Sequence, residues 1–180
     1  MSGPLEVTRA AIYQLFGGLL LECASEQALR DIHDRNLLPT LAADAPEPAL
    51  SEALLRMHAA LGSDESIQAL RSEHARLFLG AGKSKTHPWE SVYRSDQKLV
   101  WQEPAYSVLN HYVRAGFGYD DMQAIPPDHV GRELLFVATL SVAALSTDDE
   151  ARRTELEARR RAFLEEHVMQ WIPQLASDVR

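Results

Sequence analysis

A chain of 180 residues with 46% hydrophobic and 24% charged side chains carries enough apolar material for a sizeable core, which excludes a disordered, fibrous or low-complexity protein. Its 26 acidic against 18 basic residues give a net charge of -8, the wrong sign for a general nucleic-acid binder and a favourable one for a cationic partner. Cys23 stands alone, so no intramolecular disulfide and no CxxC metal site can form, and a reducing, cytoplasmic compartment is expected.

Taken in chain order, the pattern is helical. Ser2 and Pro4 read as the cap and first-turn proline of a first helix whose apolar face carries Leu5, Ile12, Leu15, Phe16, Leu19, Leu20 and Cys23. Ile12 to Leu21 imitates the apolar centre of a secretory leader. Its flank, however, offers only Arg9 offset by Glu6, and Gln14 interrupts the run, so the segment is expected to be a core helix. No uninterrupted apolar run of about 18 residues predicts a membrane span. Ser25 is expected to cap a second helix reaching about Asn36, with Pro39 as its break and the Ala/Pro-rich residues 39–48 as an irregular connection. Leu50, Leu54, Met57 and Leu61 mark a third helix ended by Gly62. Ser63 opens a fourth, with Ile67, Leu70, His74, Leu77 and Phe78 on one side. Residues 80–103 are expected to be irregular. Pro104 opens a fifth helix closed by Gly116, and Pro126, Pro127 and Asp128 read as another helix start with Asp128 as its N-cap. The long apolar helix that follows carries Val130, Leu134, Val137, Leu140 and Leu145. After a turn at 147–149, a last helix runs from about Glu150 to Trp171, with Pro173 as its break or kink. No period-two run and no internal repeat is present, so residues 1–180 are expected to form an all-α, single-domain helical bundle.

No enzyme constellation is recognisable. Gly82-Lys83-Ser84 has the tail of a phosphate-binding loop, but Leu77 stands where the leading glycine belongs and a helix replaces the preceding strand. The closest two of the seven histidines are 13 residues apart, and no Glu-x-x-His occurs, so no metal site and no cofactor is expected from local spacing. Cys23, on an apolar face, reads as packed rather than reactive. Arg159, Arg160 and Arg161, mixed with acids, read as a solvated helix face.

Four segments change this picture together. They are His74-Ala-Arg-Leu77-Phe78 followed by Gly80; His87-Pro-Trp-Glu-Ser-Val-Tyr93; Pro126-Pro-Asp-His-Val-Gly131 with Glu133, Leu134 and Phe136; and Phe163-Leu-Glu-Glu-His167 with Trp171-Ile-Pro173. In this order they resemble the TorD/DmsD/NarJ family of cytoplasmic chaperones for molybdenum-cofactor oxidoreductases. The resemblance spans roughly residues 5–175. It implies an all-helical, non-enzymatic protein. Its partner would be the precursor of a molybdopterin-dependent oxidoreductase, bound through the twin-arginine leader or the body and held back from export until cofactor insertion. It also implies a client-binding set of Leu77, Phe78, Trp89, Ser91, Tyr93, Asp128 and His129. Asp128 would pair with a leader guanidinium, and Leu77, Phe78, Trp89 and Tyr93 would form an apolar floor. Here the stretch after Phe78 is basic, Ala81-Gly-Lys-Ser-Lys85, a departure that bears on client choice. Two alternatives stand beside this reading: a scaffold that binds only the catalytic subunit's body, and a GTP-binding protein using residues 80–86. A monomer or a domain-swapped dimer fits either.

Overall fold

The computed structural model describes residues 3–78, 86–118 and 125–179. Among these the chain is all helix, as expected: α1 (Pro4–Leu21), α2 (Glu26–Asp34), α3 (Leu37–Ala43), α4 (Pro48–Ala60), α5 (Asp64–Phe78), α6 (Glu90–Arg94), α7 (Glu103–Ala115), α8 (Val130–Leu145), α9 (Glu150–Phe163), a π-helical turn (Leu164–Val168) and α10 (Met169–Asp178). Ser25 caps α2 by accepting from Ala28 N at 3.1 Å. Gly116 ends α7 in the left-handed region at φ 69°, where a residue without Cβ is unstrained.

Three expectations are corrected. Residues 39–48 are not wholly irregular, because Leu37–Ala43 is helical. Asn36, at φ 51°, reverses the chain, and Pro39 then falls in the first turn of α3, where its missing N–H costs nothing. Leu38, Leu41 and Ala42 are buried and hold this short helix in place. Within 80–103, Glu90–Arg94 forms the separate helix α6. Pro173 does not end the last helix: α10 continues to Asp178, with Trp171 and Leu175 buried on either side of the exposed proline. The break lies earlier, where the π turn separates α9 from α10.

The core has three parts. One lies among α7, α8, α9 and the π turn, with Tyr112, Phe136 and Phe163 in mutual ring contact. A second joins α2 to α5 around Leu29, Leu38, Leu54 and Ile67, and the face of α1 carrying Ile12, Leu15, Phe16 and Leu19 packs on it. The third, around Val130, Trp171 and Leu175, gathers Leu20, Phe78 and Tyr93 from three further elements. Helix α1 therefore serves both halves, and its other side lies directly on α8. The crossing is possible because Gly17 and Gly131 face each other. A Cβ on Gly131 would sit 2.6 Å from both Gly17 O and Leu21 N, inside any tolerated contact. Arg160 adds an ion pair to Glu6 at 2.7 Å that ties α9 to α1, so this arginine is part of a tertiary contact rather than a purely solvated face.

Gly131→Ala should therefore push α1 off α8 and cost about 3 kcal/mol, at the upper end of overpacking costs. Thermal melts would read this as a clear fall in Tm, whereas Gly18→Ala, where a Cβ meets open space, should leave Tm unchanged or raised.

Candidate functional site

Two of the segments singled out in the sequence are zipped together. Glu90 N donates to Asp128 O at 3.0 Å and Val130 N to Pro88 O at 2.9 Å. Trp89 and His129 thus form an isolated antiparallel bridge, the one strand-like pairing among the described residues. The backbone donors and acceptors of two loops satisfy one another, which is what lets these loops be buried.

Side chains lock the bridge. Asp128 is fully buried, and its Oδ2 accepts from Ser91 N at 2.7 Å. Asp128 is therefore the cap of α6, supplied from across the bridge, and not of α8. The N-cap of α8 is His129, whose Nδ1 accepts from Gly131 N at 3.1 Å. Ser91 Oγ in turn accepts from Gln102 N at 3.3 Å, at the start of α7. Tyr112, wholly buried on α7, donates to Pro127 O at 2.9 Å.

Beneath the bridge lies a buried acidic group: Glu90, Asp128 and Glu133, all at 0% exposure. Glu90 accepts from Arg94 and pairs with His167 Nδ1 at 2.8 Å. Glu133 Oε2 accepts from Trp171 Nε1 at 3.0 Å. Burial pushes the Glu133 carboxyl well above its usual range, and the neighbouring Glu90 charge adds to this. Burial also raises Asp128, against the opposing hydrogen bonds from Ser91. His129 is pushed down to about 4, first by burial and then by the charges of Arg132 and His74. It is neutral at physiological pH, as an acceptor Nδ1 requires, and its titration lies below the range of a physiological pH switch.

The seven expected site residues therefore divide into two groups. Asp128, Ser91 and His129 belong to the enclosed latch, with Trp89 half-buried above it and edge-on to His129 at 5.7 Å. In this conformation Asp128 offers no exposed carboxylate to a guanidinium, because both the bridge and α6 cover it. Leu77 and Phe78 instead line an apolar groove of about 250 Å³ between α1 and α5. Tyr93 packs on Trp171 at 5.4 Å and shares the third core part with Phe78, which links the latch to the groove.

The sequence did not single out the groove's other walls. Phe16, Leu19, Leu20 and Met57 read as apolar faces of their helices, Leu29 was not singled out, and Leu70, 41% exposed, read as one more apolar position on its helix. Cys23 is also corrected: α1 ends at Leu21, and the half-buried thiol lines the groove instead of the helix face. Gly82-Lys83-Ser84 lies outside the described residues, as does most of the 80–86 loop. No helix among the described residues is long and apolar enough to cross a membrane.

Residues 41–177 match the family model described as the nitrate reductase delta subunit, and the chain belongs to that family. It is similar to the chaperone protein TorD of Vibrio cholerae, at 26% identity over 96% of this chain and 80% of that protein. The TorD chaperone of Vibrio parahaemolyticus is 23% identical over 93% of this chain and 80% of its own. A crystal structure from Archaeoglobus fulgidus, provisionally assigned as a redox enzyme maturation protein, aligns over 92% of this chain and 96% of its own at a TM-score of 0.48 and 20% identity.

A carboxyl raised by burial stabilises the fold while it stays protonated and costs stability as pH rises from its ordinary value of 4.5 through its folded value. Glu133→Gln keeps an acceptor for Trp171 and needs no proton. Its Tm relative to wild type should accordingly climb as pH rises above about 4.5, as denaturation curves at increasing pH would show.

Proposed function

We propose that this protein is a cytoplasmic assembly chaperone for a molybdenum-cofactor oxidoreductase. It binds the apolar part of the precursor's twin-arginine leader in the groove between α1 and α5 and so delays export until the cofactor is in place. The observation that carries this reading is the groove itself. Most of its lining is apolar, with Leu, Phe and Met side chains predominating beside Cys23 and Ala24, its polar members are Arg71, Glu73 and His74, and its wall includes Leu77 and Phe78. These are two positions at which the family resemblance implies client binding. The kinship with proteins named TorD chaperones supports the class of function.

The physical fit is that of an amphipathic helix laid in an apolar slot, where a few apolar anchors supply most of the affinity. A twin-arginine leader presents such an apolar stretch behind a cationic front. The chain's charge of -8 favours approach of that front, whereas the charged residues lining the groove are already paired, Glu73 with Arg76 and Arg71 with Glu26. Asp128, Ser91, His129 and Trp89 contribute by holding the latch, and Tyr93 by carrying its position to Phe78.

A synthetic leader carrying the arginine pair should bind in the micromolar range or tighter, about -8 kcal/mol, by calorimetry. Leu70→Asp, a change on the exposed rim of the groove, should weaken binding at least tenfold while leaving Tm within a few degrees. Binding untouched by Leu70→Asp would place the leader elsewhere. Equal capture of a client subunit with and without its leader would favour the alternative, a scaffold for the subunit body.

A further inference from the structure

Next to Glu90 of the latch, two histidines distant in sequence meet. His111 lies on α7, and His167 lies in the π turn together with Glu166. Their rings stand edge-on at 5.2 Å, and His111 Nε2 is 3.1 Å from Glu166 Oε2. One ligand atom from each of His111, Glu166 and His167 falls within 4.8 Å of the others. We propose that these three residues form a binding site for a divalent cation of the zinc class.

Four observations carry the proposal. The donor set, two imidazoles and one carboxylate, is one that zinc takes with a fourth position left open to solvent. Tetrahedral ligands at about 2.05 Å lie roughly 3.3 Å apart, close to the His111–Glu166 separation, so only His167 needs to close in. The orientation of His167 is already fixed from behind. Its Nδ1 is hydrogen-bonded to the buried carboxylate of Glu90 at 2.8 Å, which directs the lone pair of Nε2 outward. A carboxylate behind a histidine is the arrangement that fixes the tautomer and raises the basicity of a metal ligand. Nε2 meets the Ser107 hydroxyl at 3.3 Å.

The surroundings suit a cation as well. A cleft of about 410 Å³ opens over His167 and Glu166, lined by the carboxylates of Glu103, Glu165 and Glu166 and the guanidinium of Arg94, with Glu165 also paired to Arg161 at 2.8 Å. Arg94 is itself engaged by Glu90 and by Glu166 O. The π turn brings consecutive residues 166 and 167 to bear on one point; such turns interrupt α-helices often at functional sites. Occupied, the site would staple α7 to the junction of α9 and α10 and brace the latch through Glu90.

The test is titration of the full-length, tag-free protein with ZnCl2, followed by calorimetry and by competition with a chromophoric chelator. One saturable equivalent is expected, at low-micromolar affinity or tighter. His111→Ala and Glu166→Gln, both on side chains with solvent exposure, should each weaken it at least tenfold with unchanged circular dichroism. Co2+ in the same site should show the visible bands of a tetrahedral complex, lost in His111→Ala. The stacked pair His33 and His58, 4.4 Å apart at the other end of the bundle, is the control. His33→Ala/His58→Ala should bind zinc as wild type does. Absence of saturable binding, binding that survives His111→Ala, or binding lost with His33 and His58 would each overturn the proposal.

Discussion

The two backbone hydrogen bonds that join Pro88–Glu90 to Asp128–Val130 are the constraint on which the rest of the site depends. They turn two loops, separated by the whole of α7, into one buried unit. Once paired, Asp128 can cap α6, Ser91 can hold the start of α7, and His129 can cap α8. Each such bond adds only about 1 kcal/mol net, but removing one partner would strand a buried polar group at a cost of about 1–3 kcal/mol. The latch is thus held less by the strength of any one bond than by the penalty for opening it.

That penalty has an electrostatic side. Three carboxyls at zero exposure would be prohibitive if all were ionised and unpaired. The fold divides the burden: Glu90 faces Arg94 and His167, Asp128 faces the amide of Ser91, and Glu133 is pushed toward its neutral form beside the indole of Trp171. A polar centre of this kind specifies one arrangement of α6, α7, α8 and α10. It connects to the apolar groove through Tyr93 and Phe78 and to the cleft beside His167 through Glu90.

Much of the fold was legible in the sequence, and the reasons are local. The capping serine at 25, the terminating glycine at 116 and the three- and four-residue apolar steps act within a turn or two of chain, so α2, α4, α5, α7 and α8 could be placed. Pro39 misled because a proline signals a helix break and a helix start equally well, and the left-handed Asn36 that decides between them carries no strong sequence mark. Asp128 misled for a similar reason. A short acid before an apolar run looks like that run's own cap, and the alternative partner lay 37 residues upstream. The meeting of His111 with His167 was invisible because nothing in local spacing reports which helices pack side by side. The site segments themselves were legible through a family pattern, yet that pattern could not say which residues build and which ones bind.

Asp128, Ser91 and His129 build the site, and the groove of Leu70, Leu77 and Phe78 is the proposed seat of the client. Amide hydrogen exchange, followed segment by segment with and without a twin-arginine leader peptide, tests that division most directly. Residues 88–91 and 128–131 should exchange slowly in the free protein and be unchanged by peptide, while protection should rise at residues 16–24 and 70–78. Fast exchange at 88–91 and 128–131 that slows only when peptide is added, with the groove unaffected, would contradict that division.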